Sequence, residues 1–416
     1  MTVCDVVVVG GGQAGMSVSY RLSQRGIDHL VLERYDHVGH GWGHERWDSF
    51  TLVTPNWFLK LPDFGYAGAR PDDFLPRDDI VRYLEGFHDF VRPPMRFGTQ
   101  VLGLRPDEGR FILDTRAGPI VARNVVVATG FFHRPRVPAM ARALAPGIAQ
   151  FHPYDYRNPA QVPEGGVLIV GSSMSGIQIC EDFLEAGRDV ILAVGDGHRM
   201  PRRYRGRDAF AWMTELGMVD KPVDPMTHAE RYAPSLMLSG ARGGRGLNLH
   251  DFSARGVELA GRLLGFEGSR AHFADDLNLK VAESDAAGRT FKAAVDTLIS
   301  DRGLDAPAPD PTNTDDGRIT DGGPYPVPGE IDLAARGIST VIWATGFGCD
   351  YDWIAMPVLD DRGFPRQHRG VSDVQGLYFC GQHWLHTFAS GGFHGLGDDP
   401  AHIADHIGTR LGVPLR

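Results

Sequence analysis

Four consecutive valines that lead into a glycine-rich turn constrain the fold of this chain more than any other feature. The valines are residues 6–9, and such a β-branched run is typical of a strand buried on both faces of a parallel sheet. The turn reads Gly10-Gly11-Gly12-Gln13-Ala14-Gly15, and residues 16–25 have the periodicity of an amphipathic helix. A short apolar segment, residues 29–32, then ends at Glu33. The sequence therefore predicts a strand–helix–strand unit at the start of the chain.

The spacing within this unit predicts a dinucleotide-binding site. Gly10 permits a tight turn, Gly12 lets the backbone approach a pyrophosphate, and Gly15 allows the helix to pack closely on the strand. The helix N-terminus offers free N–H groups to the pyrophosphate, and Glu33 is placed to accept hydrogen bonds from a ribose. With 53 glycines in the chain, a random match to the glycine pattern is expected about once, so the surrounding strand, helix and acid carry the prediction.

The same pattern recurs in the middle of the chain. Residues 166–170 form an apolar run, Gly171-Ser172-Ser173-Met174-Ser175-Gly176 follows it, and a helix is predicted after this turn. Ser173 replaces the middle glycine and is small enough for the close approach of a phosphate. The position that corresponds to Glu33 is Val194, so the second unit lacks the ribose-binding acid. The phosphate-binding residues predicted here are Gly171, Ser172, Ser173, Ser175 and Gly176.

Arginines gather just after this second unit. Arg199, Arg202 and Arg203 follow Val194 within a few residues. A guanidinium binds a phosphate through two parallel hydrogen bonds, whereas an acid would repel it. The cluster favours NADPH over NADH, with Arg199 and Arg203 as ligands of the 2′-phosphate and Arg202 next. A solvated basic loop is the alternative interpretation.

Two matched segments connect the units. Residues 124–131 and 340–347 each show an apolar strand pattern followed by Ala-Thr-Gly. A stretch rich in Pro, Gly and Asp, residues 305–329, is predicted to be a long surface connection. The cofactor-binding residues predicted at the ends of the matched segments are Thr129, Gly130, Thr345 and Gly346.

Downstream of the first unit, Gly39-His40-Gly41-Trp42 has the Gly-x-x-Trp form that flavin-containing monooxygenases carry at this place. Residues 46–62 are similar to the segment that borders the flavin in the plant auxin-forming monooxygenases and their bacterial relatives. The chain resembles this family over most of its length. The resemblance implies an α/β fold of two Rossmann-like domains, with an NADPH domain inserted into a discontinuous FAD domain. The implied boundaries are 1–160 and 326–416 for the FAD-binding domain, and 161–325 for the NADPH-binding domain with a helical insertion.

The resemblance also assigns the first site to FAD and adds residues to it. Gly39 and Trp42 would lie near the flavin, and Arg34 lies beside Glu33. The end of the last strand would run along the FAD, where many flavoproteins have Asp at the position of Gln382. The residues predicted to bind FAD are Gly10, Gly12, Gln13, Ala14, Gly15, Glu33, Arg34, Gly39, Trp42, Gly381 and Gln382.

Three further residues are implied in catalysis by the resemblance. Residues 147–156 resemble the family's hallmark, and His152 and Tyr156 fit its ending. In the family this linker couples NADPH binding to flavin reduction. Animal-type members hold the oxygenated flavin with an Asn, whose place is taken by Val53 in this chain. Asn56, three residues further on, is the candidate substitute.

The activity implied is that of a monooxygenase that uses FAD, NADPH and O₂. In the family a flavin C4a-(hydro)peroxide oxygenates a small organic substrate at N or S, or attacks a carbonyl. An NADPH oxidase or flavin reductase without productive oxygen transfer is the main alternative, and a non-catalytic nucleotide-sensing flavoprotein is another. A disulfide reductase would need a vicinal cysteine pair, and the four cysteines of this chain are far apart in sequence.

Composition limits the partners and the location. The formal net charge of −10 disfavours general binding to nucleic acid or a membrane surface, because both need clustered positive charge. Neither a long apolar run nor a signal-peptide pattern is visible, so we expect a cytoplasmic enzyme. Its expected partners are O₂ and a small-molecule substrate, with no nucleic acid and no membrane, and with room for a homodimer.

The middle and the end of the chain offer residues for the substrate side. His383, His386 and His394 invite a metal interpretation, but no carboxylate or fourth ligand is fixed nearby, so no metal site is predicted. The pocket candidates, for each of which core packing is the alternative, are Trp212, Met213, Met218, Tyr232 and Met237.

Overall fold

The computed structural model of this chain describes residues 2–224, 226, 236–310 and 321–414. Its α-helices are α1 Gln13–Gln24, α2 His40–Gly43, α3 Arg77–Val91, α4 Met174–Glu185, α5 Ala209–Glu215, α6 Leu249–Ala254, α7 Leu277–Arg302 and α8 Asp398–Leu411. Short 3-10 turns lie at Asn56–Phe58, Ala139–Ala143, Pro159–Gln161 and Ala241–Gly243. Within the described ranges, every helix is too short or too polar to cross a membrane.

The strands are numbered along the chain. The first ones are β1 Thr2–Val9, β2 His29–Leu32, β3 Lys60–Leu61, β4 Phe64–Gly65, β5 Met95–Arg96, β6 Val101–Asp107, β7 Arg110–Thr115, β8 Ile120–Val127 and β9 Arg134–Pro135. The next are β10 Ala149–Phe151, β11 Gly166–Val170, β12 Val190–Ala193, β13 His198–Arg199, β14 Arg203–Tyr204, β15 Arg207–Asp208, β16 Leu236–Ser239, β17 Arg245–Gly246 and β18 Glu258–Ala260. The last are β19 Leu263–Glu267, β20 Arg270–Phe273, β21 Glu330–Asp332, β22 Ile338–Trp343, β23 Phe347–Gly348, β24 Gln367–His368, β25 Val371–Ser372 and β26 Leu377–Phe379.

The first large sheet is built around β1, as the valine run predicts. Its strand order is β24-β25-β26-β8-β1-β2-β5, with β7 paired to β8 and β6 to β7. β1 runs parallel to both β2 and β8, and β26 runs parallel to β8. Val6 and Val8 face one hydrophobic core while Val7 and Val9 face another. The strand is therefore buried on both faces, which is why it contains no polar residue at these positions.

The second large sheet is parallel throughout, with the order β10-β22-β11-β12-β18. Val167 and Ile169 of β11 face one core, and Leu168 and Val170 face another. α4 follows β11 as α1 follows β1, so the repeated sequence pattern folds in the same way twice. The predicted α/β fold of two Rossmann-like units is confirmed.

The strands of the second sheet lie, in sequence, between two groups of strands of the first sheet. The first is built from residues 2–127 and 367–379, and the second from strands within 149–343. The predicted boundaries after residues 160 and 325 differ from this arrangement, because β10 lies before the first and β22 after the second, yet both pair in the second sheet. The pairing of a short edge strand with a distant one leaves no local signal in the sequence. We therefore propose 149–343 as the inserted unit.

The two Ala-Thr-Gly segments meet where the chain passes between the sheets. They end at Gly130 and Gly346, whose φ angles of +78° and +80° favour glycine. β9, after the first segment, pairs with β23, after the second. The N–H of Arg136 donates to the carbonyl of Gly346 at 2.9 Å. The predicted connection has no helix or strand in its described parts, residues 305–310 and 321–329.

Candidate functional site

One large cavity receives residues from both dinucleotide units. Its volume is about 990 Å³, which is at the upper end of the range of ligand pockets. Gly12 and Gln13, at the start of α1, line this cavity. Met174, the first residue of α4, and His198 of β13 line it as well. The two units therefore border a common space.

The first glycine-rich turn has the geometry that a bound pyrophosphate requires. Gly10 has a φ of +109°, and a Cβ there would lie 2.5 Å from the carbonyl oxygen of Ala128. A Cβ on Gly15 would overlap the carbonyl oxygen of Gly10, so α1 packs this closely on β1 only without a side chain. A Cβ on Gly12, in contrast, would meet no atom within 4 Å. The N-terminus of α1, with its unpaired N–H groups, thus faces open space.

Glu33 holds the turn and remains able to bind a ribose. Its Oε2 accepts a hydrogen bond from the N–H of Gly11 at 2.8 Å, and its Oε1 accepts one from the N–H of Tyr35 at 2.9 Å. Each carboxylate oxygen has a second lone pair, and Glu33 lines the cavity. Arg34 lies at the same wall, where its Nη2 is 3.2 Å from Oε1 of Glu45.

Trp42 forms part of an aromatic wall of the cavity. It lies in α2, and Gly39, with a φ of +80°, directly precedes this helix. The Nε1 of Trp42 donates to Oε1 of Gln13 at 3.1 Å, and its ring stacks on Phe393 with centroids 5.4 Å apart. Both aromatic rings and Gly39 line the cavity. The aromatic wall thus lies directly beside the N-terminus of α1.

Arg46 is a cavity residue that the sequence analysis treated only as the start of a matched segment. Its guanidinium lies 5.4 Å from the Trp42 ring centroid and 4.9 Å from that of Phe132. Burial lowers the pKa of Arg46 to about 10, so the group stays charged at neutral pH. The signal that could have identified it is an arginine among aromatic residues, since such rings favour a cation over their faces.

The predicted residues near the ends of β8 and β26 divide into two groups. Thr129, Gly130 and Gly381 line the cavity, and a Cβ on Gly381 would overlap the side chain of Ala14 at the start of α1. Gln382 is buried instead, and its Nε2 donates to the hydroxyl of Tyr351 at 2.6 Å. Gln382 is not among the residues that line the cavity.

The second glycine-rich turn repeats the geometry of the first. Gly171 has a φ of +105°, and a Cβ on Gly176 would overlap the carbonyl oxygen of Gly171. Ser173 caps α4, and its hydroxyl donates to the carbonyl of Asp196 at 2.9 Å. The hydroxyl of Ser172 accepts from the N–H of Gly195 at 3.1 Å. Ser175 lies in the first turn of α4. The serines thus tie this turn to the loop after β12.

The arginines after β12 are engaged within the protein. Arg199 is buried, and its Nη1 bonds Oδ1 of Asp285 at 3.0 Å. Arg202 is fully buried and donates to both oxygens of Asp208, at 2.8 and 2.6 Å. Arg203 donates to two backbone carbonyls at 3.2 and 2.8 Å. A 2′-phosphate would have to compete with Asp285 for Arg199, a partner 86 residues away that the sequence pattern did not show.

His152 joins the linker to the second Ala-Thr-Gly segment. Its Nε2 lies 2.9 Å from the carbonyl oxygen of Gly346, and its Nδ1 accepts from the N–H of Tyr154 at 3.1 Å. Since Nδ1 accepts, Nε2 carries the proton and donates to Gly346. Burial lowers the pKa of His152, which favours this neutral ring. Neither His152 nor Gly346 is among the cavity-lining residues. Thr345 lies beside Gly346 and donates its hydroxyl to the carbonyl of Arg136.

Tyr156 anchors the linker to α4. The side chain is fully buried, and its hydroxyl donates to Oδ2 of Asp182 at 3.3 Å. The hydroxyl of Ser49 also donates to Asp182, at 2.6 Å to one oxygen and 2.8 Å to the other. Burial raises the pKa of Asp182 to about 6. Tyr156 is therefore part of a buried polar cluster outside the cavity.

Asn56 is buried away from the cavity. Its Nδ2 donates to the carbonyl of Arg70 at 2.9 Å, and its Oδ1 has no hydrogen-bond partner among the described residues. Val53 and Phe58 line the cavity instead. The 3-10 turn Asn56–Phe58 directs the amide toward Arg70, which a count of residues along the chain does not reveal.

The cavity also has apolar lining residues, several of which pack in one hydrophobic cluster. Of the pocket candidates, Met213 and Met218 line the cavity, whereas Trp212 and Met237 are buried in core clusters. Tyr232 lies outside the described residues. We call the following set the apolar chamber: Phe58, Phe210, Met213, Met218, Leu238 and Phe388.

Comparison with known proteins gives the family. A family model described as pyridine nucleotide-disulphide oxidoreductase matches residues 7–206. The chain is 30% identical over 213 residues to the indole-3-pyruvate monooxygenase YUCCA1 of Oryza sativa subsp. japonica, which covers 49% of this chain and 51% of that protein. It is 31% identical over 409 residues to an uncharacterized CzcO-like oxidoreductase of Geobacillus kaustophilus, which covers 97% of this chain and 98% of the relative. The chain belongs to the family of this CzcO-like oxidoreductase. Its similarity to YUCCA1 supports a flavin monooxygenase assignment.

Solved structures share the fold of this chain. A flavin-containing monooxygenase from Stenotrophomonas maltophilia superposes with a TM-score of 0.68 at 18% identity, covering 99% of this chain and 100% of that chain. A bacillithiol disulfide reductase from Staphylococcus aureus superposes with a TM-score of 0.61 at 12% identity, covering 99% of each chain. The fold and family indicate a flavin and a nicotinamide cofactor, but the fold is common to more than one reaction.

The placement of the cysteines differs from that in a dithiol enzyme, where two thiols lie next to the cofactors. Among the described residues that line the cavity, none is a cysteine. All four cysteines are free thiols, and Cys180 and Cys380 are buried in the core. A redox-active pair of thiols next to the cofactors is therefore absent from the described part of the site.

Proposed function

We propose that this chain is an FAD-dependent monooxygenase that takes electrons from NADPH and transfers one oxygen atom of O₂ to a small organic substrate. The observation that carries the proposal is the shared cavity. Gly12 and Gln13 of the first unit and Met174 and His198 of the second line it together. Hydride transfer requires the two reacting rings to be held in contact, and a cavity bordered by both units meets this requirement.

The residues of the first unit fit FAD. The open space in front of Gly12 lies at a helix N-terminus, where a pyrophosphate is stabilised by free N–H groups. Glu33 keeps acceptor capacity for a ribose at the same wall. The rings of Trp42 and Phe393 offer a flat apolar surface beside it. When bound, the flavin supplies the capacity to accept a hydride and to activate O₂.

The protein's own part in the reaction is to bind, to orient and to exclude water. The apolar chamber surrounds the proposed substrate position with Phe and Met side chains. Exclusion of water favours transfer of oxygen to the substrate over release of peroxide. Arg46 adds a fixed positive charge at the wall, and His152 fixes the linker through Gly346. We propose a largely apolar substrate that is oxygenated at N, at S or next to a carbonyl.

The proposed electron donor is NADPH. Val194 stands where an acid would repel the 2′-phosphate, and Arg199 and Arg203 follow within the next two short strands. In the proposed complex the phosphate takes the place of Asp285 at Arg199. The proposed partners are O₂ and the substrate, without nucleic acid or membrane, the proposed location is the cytoplasm, and a homodimer stays a prediction.

A second candidate function is an NADPH oxidase. Val53 lines the cavity, and the amide of Asn56 is bonded to Arg70 outside it. The described site thus lacks the amide side chain that animal-type relatives are expected to use, and this observation favours release of peroxide.

The two functions are separated by following the oxygen. The FAD-loaded enzyme oxidises NADPH under ¹⁸O₂ with a panel of amines, thioethers and ketones, and peroxide and labelled product are measured. We expect at least one compound to take up one ¹⁸O atom, with clearly less than one peroxide formed per NADPH. One peroxide per NADPH with every compound and no labelled product would support the oxidase instead.

A further inference from the structure

Three histidines lie together at the edge of the cavity, outside the residues discussed so far. His37 is in the loop after β2, His40 begins α2 and His44 directly follows α2. His40 and His44 are four residues apart across α2, which places them on one face of this helical turn, and His37 approaches them from the preceding loop. One nitrogen atom from each ring lies within 4.8 Å of the corresponding atoms of the other two.

The separations are close to those of a metal site. The Nδ1 of His40 is 3.4 Å from the Nε2 of His37. Two ligands at about 2.0–2.1 Å from a tetrahedral metal lie about 3.3 Å apart, so this pair already has the required separation. The ring of His44 stacks on that of His40 with centroids 4.5 Å apart. Because His44 is exposed, its side chain is free of the packing that would oppose a rotation toward the other two rings.

Asp36 orients the first of these rings. Its Oδ1 lies 2.6 Å from Nδ1 of His37. A carboxylate that accepts the Nδ1 proton fixes the tautomer and leaves the Nε2 lone pair free to bind a metal. That Nε2 is the atom that faces His40. Carboxylate, imidazole and ligand position are thus arranged in the order that is common around bound metals.

We propose that His37, His40 and His44 bind one divalent transition-metal ion of the zinc, copper, nickel and cobalt class. Imidazole nitrogen suits these ions, whereas magnesium and calcium prefer oxygen ligands. Three protein ligands leave a fourth position for water or an external group. His40 also lines the cavity, so the ion would sit at its rim, beside the proposed FAD site. The metal site does not depend on the proposed function.

Cobalt is the probe for this site, because Co²⁺ absorbs visible light when bound in a tetrahedral site. The holoenzyme with its flavin is treated with EDTA, transferred to metal-free buffer and titrated with Co²⁺, and the bound cobalt is then displaced with Zn²⁺. The test variant is His37→Ala/His44→Ala, which leaves the cavity-lining His40 in place. The control is His272→Ala, a histidine of β20 in a different sheet.

We expect the wild type and His272→Ala to bind one Co²⁺ per chain, with absorption that Zn²⁺ abolishes. Loss of a ligand should weaken the metal affinity at least as much as loss of an outer-shell partner, which costs about tenfold or more. The double variant lacks two ligands, so its affinity for Co²⁺ should fall about a hundredfold. Equal melting temperatures of all three proteins in EDTA would show that the fold is intact. Absence of a saturable site in the wild type, or undiminished binding to the double variant, would overturn the proposal.

Discussion

At the scale of single residues, we expect Gly12 to matter for FAD binding and Gly15 to matter for folding. A Cβ on Gly12 meets no protein atom within 4 Å, whereas a Cβ on Gly15 overlaps the carbonyl of Gly10. We predict that Gly12→Ala leaves the melting temperature of the FAD-free protein unchanged. Its methyl group should occupy the approach of the pyrophosphate and weaken FAD binding about tenfold or more. Fluorescence titration of the FAD-free protein measures this affinity.

Gly15→Ala is the matched variant for this experiment. It should lower the melting temperature of the FAD-free protein itself, because α1 must move away from β1 to admit the methyl group. Wild-type FAD affinity in Gly12→Ala would contradict the assignment of the open space to the pyrophosphate.

We expect the preference for NADPH over NADH to depend on single residues as well. We predict that Arg199→Ala/Arg203→Ala raises the KM for NADPH about tenfold or more, since a charge-assisted bond to the 2′-phosphate is lost. The KM for NADH should change much less. Steady-state kinetics with both coenzymes measures the difference, and Arg336→Ala, at an exposed ion pair with Glu258, serves as the control. An equal rise for both coenzymes would argue against the phosphate contact.

Residues whose role is local were predictable from sequence, and residues whose partners are distant were not. Gly10 and Gly15 act through the turn in which they lie, so their spacing together with the flanking strand and helix identifies them. Arg199 meets Asp285 on α7, and Asn56 meets Arg70 across a loop, contacts that only the folded chain creates. His37 meets His40 and His44 only because the loop after β2 folds back on α2, which the sequence pattern does not reveal.

At the scale of elements, the linker that carries His152 follows β10 and is bonded to the segment after β22. His152 donates to Gly346, where the chain leaves β22. We predict that His152→Ala slows reduction of the flavin by NADPH about tenfold, while FAD affinity stays the same, because the variant loosens the approach of the two units. Rapid mixing without oxygen measures this rate.

A conservative variant distinguishes positioning from a merely structural effect. The amide of His152→Gln can still donate to the Gly346 carbonyl, so it should restore most of the reduction rate. Equal loss of rate in both variants, with a lowered melting temperature, would show that the histidine matters only for folding.

The cluster of Tyr156, Ser49 and Asp182 makes stability depend on pH. The folded-state pKa of Asp182 is raised to about 6, above the unfolded value of about 3.9. The protonated carboxyl of Asp182 therefore stabilises the folded state. This contribution to the unfolding free energy is fully present below about pH 4 and is lost as the pH rises through about 6. Through this group, the unfolding free energy of the wild type should fall by about 2 kcal/mol between pH 4.5 and pH 7. We predict that Asp182→Asn does not show this fall.

Urea unfolding at the two pH values measures this difference. Asp189→Asn, which removes a carboxylate just before β12, is the comparison variant. The same pH dependence in the wild type and in Asp182→Asn would show that Asp182 does not titrate in this range.

At the scale of the whole molecule, the repeated strand–glycine–helix pattern fixes the architecture. The uninterrupted apolar runs in β1 and β11 predict two sheets buried on both faces, and both are present. The assembly of the cavity could not be predicted in this way, because its wall combines α1, α2, the start of α4 and the segment after β26. The fold is shared with a disulfide reductase, so the reaction depends on this wall and not on the sheets.

We propose that FAD and NADPH meet in the shared cavity. Reduction of the flavin by NADPH in the absence of oxygen requires this contact, so its rate tests the proposal. FAD-loaded enzyme is mixed rapidly with NADPH in the absence of oxygen, and the flavin absorbance is followed. We predict bleaching in a single phase at least as fast as turnover, and slower bleaching when the transferred hydrogen of NADPH is replaced by deuterium. Flavin that remains oxidised, or that bleaches far more slowly than turnover, would contradict the account.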